Sequence, residues 1–271
     1  MTVDILICTY NDGIKRVQNI ILPYREDISY KISHQITDPE YKTIPSDLNR
    51  SDIIISQLES KGLSKNRNNV LSMATGDLCF IADDDVEYTY EYIDCVINYF
   101  KKHNDVDILI GKIKTEGCEY KQYKKNAHKI SWINIGSVSS IEIVFNRKCI
   151  IDSKIQFDHN FGLGGNLYNR GEEAIFMSDC LKSKLNIYYI PCYIVEHPYE
   201  STGKKIIFNA KEARYWGSLF YRIFHNFSYL LFIPLVVKLY PRLKNNLTIS
   251  QFILNYLKGI KIYKNNSIED E

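Results

Sequence analysis

The chain has 271 residues, 45% of them hydrophobic and 24% charged, which suits one large domain or a domain with a substantial appendage and excludes a disordered or low-complexity protein. Its net charge of +2 is unevenly placed: residues 203–264 hold eleven Lys/Arg against the single acid Glu212, while the first 202 residues carry −5. The basic segment has no nucleic-acid-binding motif, so nucleic acid is not the expected partner.

The opening residues "MTVDILICTYNDG" lack a basic stretch followed by a long apolar one, so a cytoplasmic location is expected. Seven scattered cysteines (Cys8, Cys79, Cys95, Cys118, Cys149, Cys180, Cys192) form no C-x-x-C pair and are read as reduced core residues.

The run Val3–Cys8 is apolar and ends in polar turn residues, which predicts a buried parallel strand. The apolar spacing of Ile14, Val17, Ile20 and Ile21 predicts a helix stopped by Pro23. "YKISHQI" and "SDIIISQL" are two further strand candidates. A helix follows in "GLSKNRNNVLSMATGD", with Ser64 as its N-cap and Gly76 just past its end. It feeds the strand "LCFIA", then a helix near Tyr90–Lys101 and the strand "VDILIGKI". Strands alternating with helices predict an α/β fold with a mostly parallel sheet.

After residue 112 the pattern loosens. A glycine-rich loop, "FGLGGNLYNRGEEAIF", opens a helix at Gly171 or Glu172 with Ile175, Phe176 and Cys180 inward, and "NIYYIP" is a last strand. Residues 217–240 are the most apolar part of the chain, but their longest uncharged run, Ile223–Val237, contains Pro234 and is shorter than the roughly 20 residues a bilayer span needs.

The strand "LCFIA" runs directly into Asp83, Asp84 and Asp85. Side chains alternate along a strand, so Asp83 and Asp85 should share a face while Asp84 points elsewhere. Ligands of open α/β sheets bind beyond the carboxyl ends of the strands, and two carboxylates there suit Mg²⁺ or Mn²⁺ shared with substrate phosphates. A solvated acidic turn is the alternative.

Together, "ILICTYND", "GLSKNRNNVLSMATGDLCFIADDDVEY", "FDHNFGLGGNLYNRGEEAIF" and "IPCYIVEHP" resemble, in order, the motifs of inverting glycosyltransferases of family 2 over about residues 3–200. That family includes builders of bacterial capsule and O-antigen polysaccharides. The resemblance implies the A-type glycosyltransferase fold: a nucleotide-binding sheet flanked by helices in a catalytic domain of residues 1–202. Residues 1–111 would serve the donor, residues 112–202 the acceptor, and residues 203–271 would form a helical, basic and apolar extension.

It further implies roles for individual residues. Thr9, Tyr10, Asn66, Arg67, Asp83 and Asp84 would bind the donor nucleotide; Asp83, Asp85 and His197 would hold the metal; Gly164 and Gly165 would meet the acceptor; and Glu173, with Glu172 beside it, would be the general base. Each has a plainer alternative: Arg67 as a helix-surface charge, the glutamates as acids favoured by a helix N-terminus, the glycines as turn formers, His197 as a structural histidine. Where relatives carry a uracil-reading Asp after the second strand, this chain has His34 and Gln35, so a UDP-sugar is a default donor.

The expected acceptor is a glycan or a polyprenyl-diphosphate-linked glycan. The apolar run flanked by Lys204, Lys205, Lys211, Arg214, Arg222, Lys238, Arg242 and Lys244 suggests attachment to the inner membrane leaflet, against a core-closing helical pair or a homodimer contact. Two other readings are a non-catalytic sugar-nucleotide subunit and a nucleotidyltransferase. The latter would want a basic, glycine-rich phosphate loop after the first strand, which "CTYNDGIKR" is not.

Overall fold

The structure, a computed structural model, describes residues 1–198, 209–243 and 246–269, the side chains of 239–243 and 267–269 excepted. Lys204, Lys205, Lys244 and the expected boundary at residue 202 lie outside the described residues, as does the Arg242 side chain. The chain divides into two compact units, Met1–Glu200 and Ser201–Glu271.

Eight strands of the first unit form one sheet: β1 (Val3–Tyr10), β2 (Ile28–Gln35), β3 (Ile53–Leu58), β4 (Leu78–Asp83), β5 (Ile108–Lys114), β6 (His128–Lys129), β7 (Ile143–Asn146) and β8 (Ile187–Glu196). Their order is β3-β2-β1-β4-β7-β5-β8-β6. The β3-β2-β1-β4 half is wholly parallel, whereas β7 lies antiparallel between β4 and β5. The short β6 and β7 lie between β5 and the glycine-rich loop, where no strand was expected; runs of two and four residues are too few to show a period.

Alternation along β1 builds the core on both faces of the sheet. Ile5 and Ile7 join Ile32, Phe80 and Ala82 beneath helix α2 (Tyr90–Lys102), which buries Ile93, Val96, Ile97 and Phe100. Leu6 and Cys8 face the other way, with Cys79 and Ile81, against helices α1 (Leu63–Ser72) and α4 (Glu172–Lys182). Each such buried Ile or Phe contributes roughly 1.5–3 kcal/mol relative to exposure. A six-residue helix, α3 (Arg147–Asp152), follows β7.

Four local expectations are corrected. Residues 14–23 form no α-helix: 3-10 turns span Asn11–Lys15 and Val17–Asn19. Ile14, Val17 and Ile20 are buried at intervals of three, the period of a 3-10 helix rather than of an α-helix. Ser64 is not the N-cap of α1; Gly62 holds that place at φ 118°, and the Ser64 hydroxyl donates to the Phe161 carbonyl at 2.6 Å. Strand β8 continues past Pro191, because its register with β5 shifts there and spares the proline a ladder hydrogen bond. The cysteines are not all core residues: Cys118 is exposed and Cys149 half-buried, while Cys8, Cys79 and Cys180 are buried and Cys95 and Cys192 face one another where α2 packs on β8.

The second unit is helical: α5 (Ala210–Phe224), α6 (Ser228–Leu243) and α7 (Ile249–Glu269). Its core gathers Ala213, Leu235, Phe252, Tyr256 and Ile260. Gly217 and Gly259 let α5 and α7 cross closely, since a Cβ on Gly217 would sit 2.0 Å from the Tyr256 carbonyl oxygen. A stretch of this unit, Ala210–Lys238, is long and apolar enough by length and composition to cross a membrane, unlike the shorter run read from the sequence, but a turn at His225–Phe227 breaks it.

Candidate active site

Parallel pairing sets the floor of the site. Cys8 pairs with Asp83 and Tyr10 with Gln35, so the carboxyl ends of β1, β2 and β4 open on one edge. There a cleft of about 670 Å³ is lined by Thr9, Tyr10, Asp12, Arg16, Gln35, Lys61, Gly62, Asn66, all three aspartates, Leu163, Gly164, Asn169 and His197. Its size suits a drug-sized or nucleotide-sized ligand.

The three aspartates do not alternate as expected. Strand β4 ends at Asp83, so Asp84 and Asp85 lie in a turn and both enter the cleft. Asp84 accepts from Thr9 Oγ1 and from Arg16, both at 2.6 Å. Gly13 makes this possible, because a Cβ there would lie 2.1 Å from Asp84 Oδ2. Asp85 pairs instead with His197, Oδ1 to Nε2 at 3.4 Å. His197 Nδ1–H donates to the Pro198 carbonyl oxygen at 2.6 Å, which turns Nε2 toward the cleft. The Asp85 hydrogen bond raises the His197 pKa, and His197 holds Asp85 below the usual carboxylate range.

Arg67 is no helix-surface charge. It is 2% exposed, its guanidinium near the ring of Phe157, and it bonds three carboxylates: Glu172 at 3.0 Å, Glu173 at 3.3 Å and Asp83 at 3.4 Å. One buried cation therefore links the aspartate motif to the glutamate pair. Neighbouring Asn66 is also buried; its Nδ2 donates to the Thr9 carbonyl at 3.0 Å and its Oδ1 has no partner.

Helix α4 begins at Glu172 because Gly171, at φ 98°, takes the left-handed N-cap position. The side chain of Glu172 is 5% exposed and that of Glu173 is 23% exposed. Burial, then the Glu173 charge, pushes the Glu172 pKa up to about 7 despite Arg67. Of the two, Glu173 is the more exposed, and neither glutamate nor Arg67 is among the residues that line the cleft above.

The glycine loop is strapped to α1: Leu63 N–H donates to the Leu163 carbonyl at 2.8 Å, and Asn68 bonds Phe157 through both its amide groups. Gly164, at φ 72°, lines the cleft beside Gly62. Gly165 does not: its N–H donates to Gly162 within the loop, and a Cβ there would lie 2.8 Å from the Phe161 backbone, so its part is to shape the turn. His34 is likewise withdrawn, fully buried with Nε2 against the Asn11 carbonyl and Nδ1 against Gln57. Gln35 does line the cleft, its amide donating to Ser60 and to the Gly62 carbonyl at 3.0 Å each.

The expected metal set is not gathered into one group. Among the described residues no three His, Cys, Asp or Glu side chains converge as a cation cage; Asp85 and His197 face one another while Asp83 turns to Arg67. Two hard carboxylates and an imidazole in one cleft still fit Mg²⁺ or Mn²⁺ of the kind that takes one or two protein carboxylates and completes its shell with phosphate oxygens.

Arg16, Asp12, Lys61, Leu163 and Asn169 also line the cleft and were not singled out from the sequence. Only Arg16 left a signal, a cation eight residues beyond the apolar run Val3–Cys8.

Comparison with known proteins bears on this geometry. The sequence model described as Glycosyl transferase family 2 matches residues 34–167. A glucosyl-dolichyl phosphate glucuronosyltransferase of Haloferax volcanii is 20% identical over 257 residues, 86% of this chain and 74% of its own. The S. aureus TarS 1–349 structure matches with a TM-score of 0.63 and 15% identity, covering 98% of this chain and 92% of that one. The same fragment in complex with UDP-GlcNAc gives a TM-score of 0.62 at 16% identity, covering 89% and 73%. The mixed, mostly parallel sheet is thus the A-type fold of those structures. The family match takes in the acidic motif and the first part of the glycine loop, as far as residue 167, and together with the A-type sheet it supports a glycosyltransferase.

Proposed function

We propose that this enzyme moves a sugar, with inversion, from a nucleoside-diphosphate donor to a hydroxyl of a lipid-linked glycan in the assembly of a surface polysaccharide of the capsule or O-antigen kind. The observation that carries the reading is Arg67, whose guanidinium joins Asp83 on the donor side to Glu172 and Glu173 on the acceptor side. Such a link would keep a leaving diphosphate beside Asp83 and a proton acceptor at Glu173 in fixed relation.

The more exposed Glu173 takes the proton of the acceptor hydroxyl as its oxygen attacks the anomeric carbon; the bond from that carbon to the diphosphate oxygen breaks, and the nucleoside diphosphate leaves with the electron pair. Glu172, anchored by Arg67, holds the start of α4 in place. Asp83, Asp85 and His197 would hold Mg²⁺ or Mn²⁺, which when bound supplies positive charge to the leaving diphosphate. Arg16 and Thr9 fix Asp84, the carboxylate available to a ribose hydroxyl.

UDP is supported by two observations. The amide nitrogen of Gln35 is committed to Ser60 and Gly62, which turns its carbonyl oxygen into the acceptor available for a uracil N–H. A structurally similar enzyme holds UDP-GlcNAc. The name of the archaeal relative contains a dolichyl-phosphate-linked sugar, which supports a lipid-linked acceptor.

The test is a thermal-shift panel of UDP, GDP, CDP and dTDP with and without Mn²⁺, on wild type and Asp85→Ala, followed by transfer assays on Glu173→Gln. Mn²⁺-dependent stabilisation by UDP that Asp85→Ala loses, with donor binding kept and turnover lost in Glu173→Gln, is expected. No stabilisation by any nucleotide would overturn the donor site, and turnover retained in Glu173→Gln would overturn the base.

A further inference from the structure

The second unit leaves an apolar face of α6 uncovered. Phe227, in the turn before α6, is 74% exposed, and on α6 itself Leu230, Ile233 and Val237 are 64%, 55% and 73% exposed. At 100° per residue they fall on one side of the helix with exposed Pro234 and Lys238, opposite buried Ser228 and Leu235. Helix α7 repeats the arrangement in mixed form: Phe252, Tyr256, Ile260 and Tyr263 face the core, and Leu254, Leu257, Lys258 and Lys261 face outward. A groove of about 380 Å³ beside it is lined by Arg214, Lys258, Lys261, Ile262 and Asn265, with no acid among them.

We propose that this unit docks on an anionic phospholipid bilayer, the α6 stripe entering the headgroup boundary and the unit's cations, Lys258 and Lys261 among them, meeting lipid phosphates. A contiguous apolar stripe of this exposure marks an interaction surface. Its charge selects the partner: the net +10 over residues 203–264 matches an anionic surface better than a second, equally cationic copy.

Docking rather than spanning follows from the helices. His225, at φ 48°, breaks the apolar stretch, and α5 is committed to α7 through the Gly217–Gly259 crossing. The 16 residues of α6 alone reach about 24 Å, short of a hydrocarbon core of about 30 Å. The surface belongs to the second unit alone, so its success or failure is separate from that of the donor site.

The experiment is flotation of the full chain with phosphatidylcholine vesicles and with vesicles containing 30% phosphatidylglycerol, on wild type, Ile233→Asp/Val237→Asp and Lys258→Gln/Lys261→Gln. Circular dichroism verifies that each variant folds, and light scattering reports its oligomeric state. Wild type is expected to float with the anionic vesicles only. The lysine pair should weaken partitioning roughly thirty-fold, at about a factor of five per cation near the surface, and the aspartates should abolish it. Wild type that stays soluble, or aspartate variants that still float, would overturn the proposal. So would a dimer that the aspartates dissociate in a chain that never floats, which would assign the face to a second copy.

Discussion

Replacing Arg67 by methionine probes the centre of the site. The side chain is 2% exposed and touches Glu172, Glu173 and Asp83 at 3.0, 3.3 and 3.4 Å. At an effective dielectric of about 20, each contact is worth on the order of 5 kcal/mol of Coulomb energy, but repulsion among the three acids and the desolvation of all four groups offset most of it. The net cost of removing one partner from a buried ion pair is about 3–5 kcal/mol, against roughly 0.5 kcal/mol for a surface charge.

Proton uptake limits that cost. Glu172 already has its pKa raised to about 7 with the arginine present, and without it the carboxylate takes a proton more readily. The destabilisation should therefore be largest near pH 8 and shrink by at least about 1 kcal/mol by pH 6, since each unit of pKa difference is worth about 1.4 kcal/mol. Urea unfolding at the two pH values, followed by circular dichroism, measures both quantities. A loss below about 1 kcal/mol at pH 8, or one that grows as the pH falls, would refute the account of Arg67 as the buried counter-ion of three acids.

Three further outcomes are expected. Glu172→Gln should flatten the pH dependence of stability: a carboxyl whose folded pKa is raised from 4.5 to about 7 stabilises fully below the lower value and loses that contribution as pH rises through the window, at most about 3 kcal/mol. Parallel unfolding curves for wild type and variant from pH 5 to 8 would contradict this. Gly13→Ala should raise the donor KM about tenfold, roughly 1.4 kcal/mol, with kcat less affected, because the new methyl displaces Asp84 from Thr9 and Arg16; unchanged steady-state kinetics would count against Asp84 as a donor contact. His197→Ala should weaken Mn²⁺ binding in the presence of UDP by at least about tenfold, as read by calorimetry, and an unchanged affinity would remove His197 from the cation site.

What was legible in the sequence follows from where the information is local. The buried run Val3–Cys8 and the strand ending in Asp83 could adopt few conformations other than strand, and a glycine before paired glutamates marks the start of α4. The motifs mark Asp83, Asp85, Glu172, Glu173 and His197 as candidate site residues from their order along the chain. The threefold spacing of Ile14, Val17 and Ile20 held the correct answer as well, although a helical reading of it chose the wrong period.

What only the tertiary structure decided are relations between residues far apart in the chain. Arg67 is buried because loop 157–171 and α4 close over it, bringing Glu172 across a separation of 105 residues, and no helical period can report that. Asp84 faces the cleft because β4 stops one residue before it, and Gln35 lines the cleft while His34 is withdrawn because pairing with β1 and β3 settles which side chain points outward. A single sequence records composition and local period, whereas a site made at strand ends depends on register, and register is set by packing of the whole sheet.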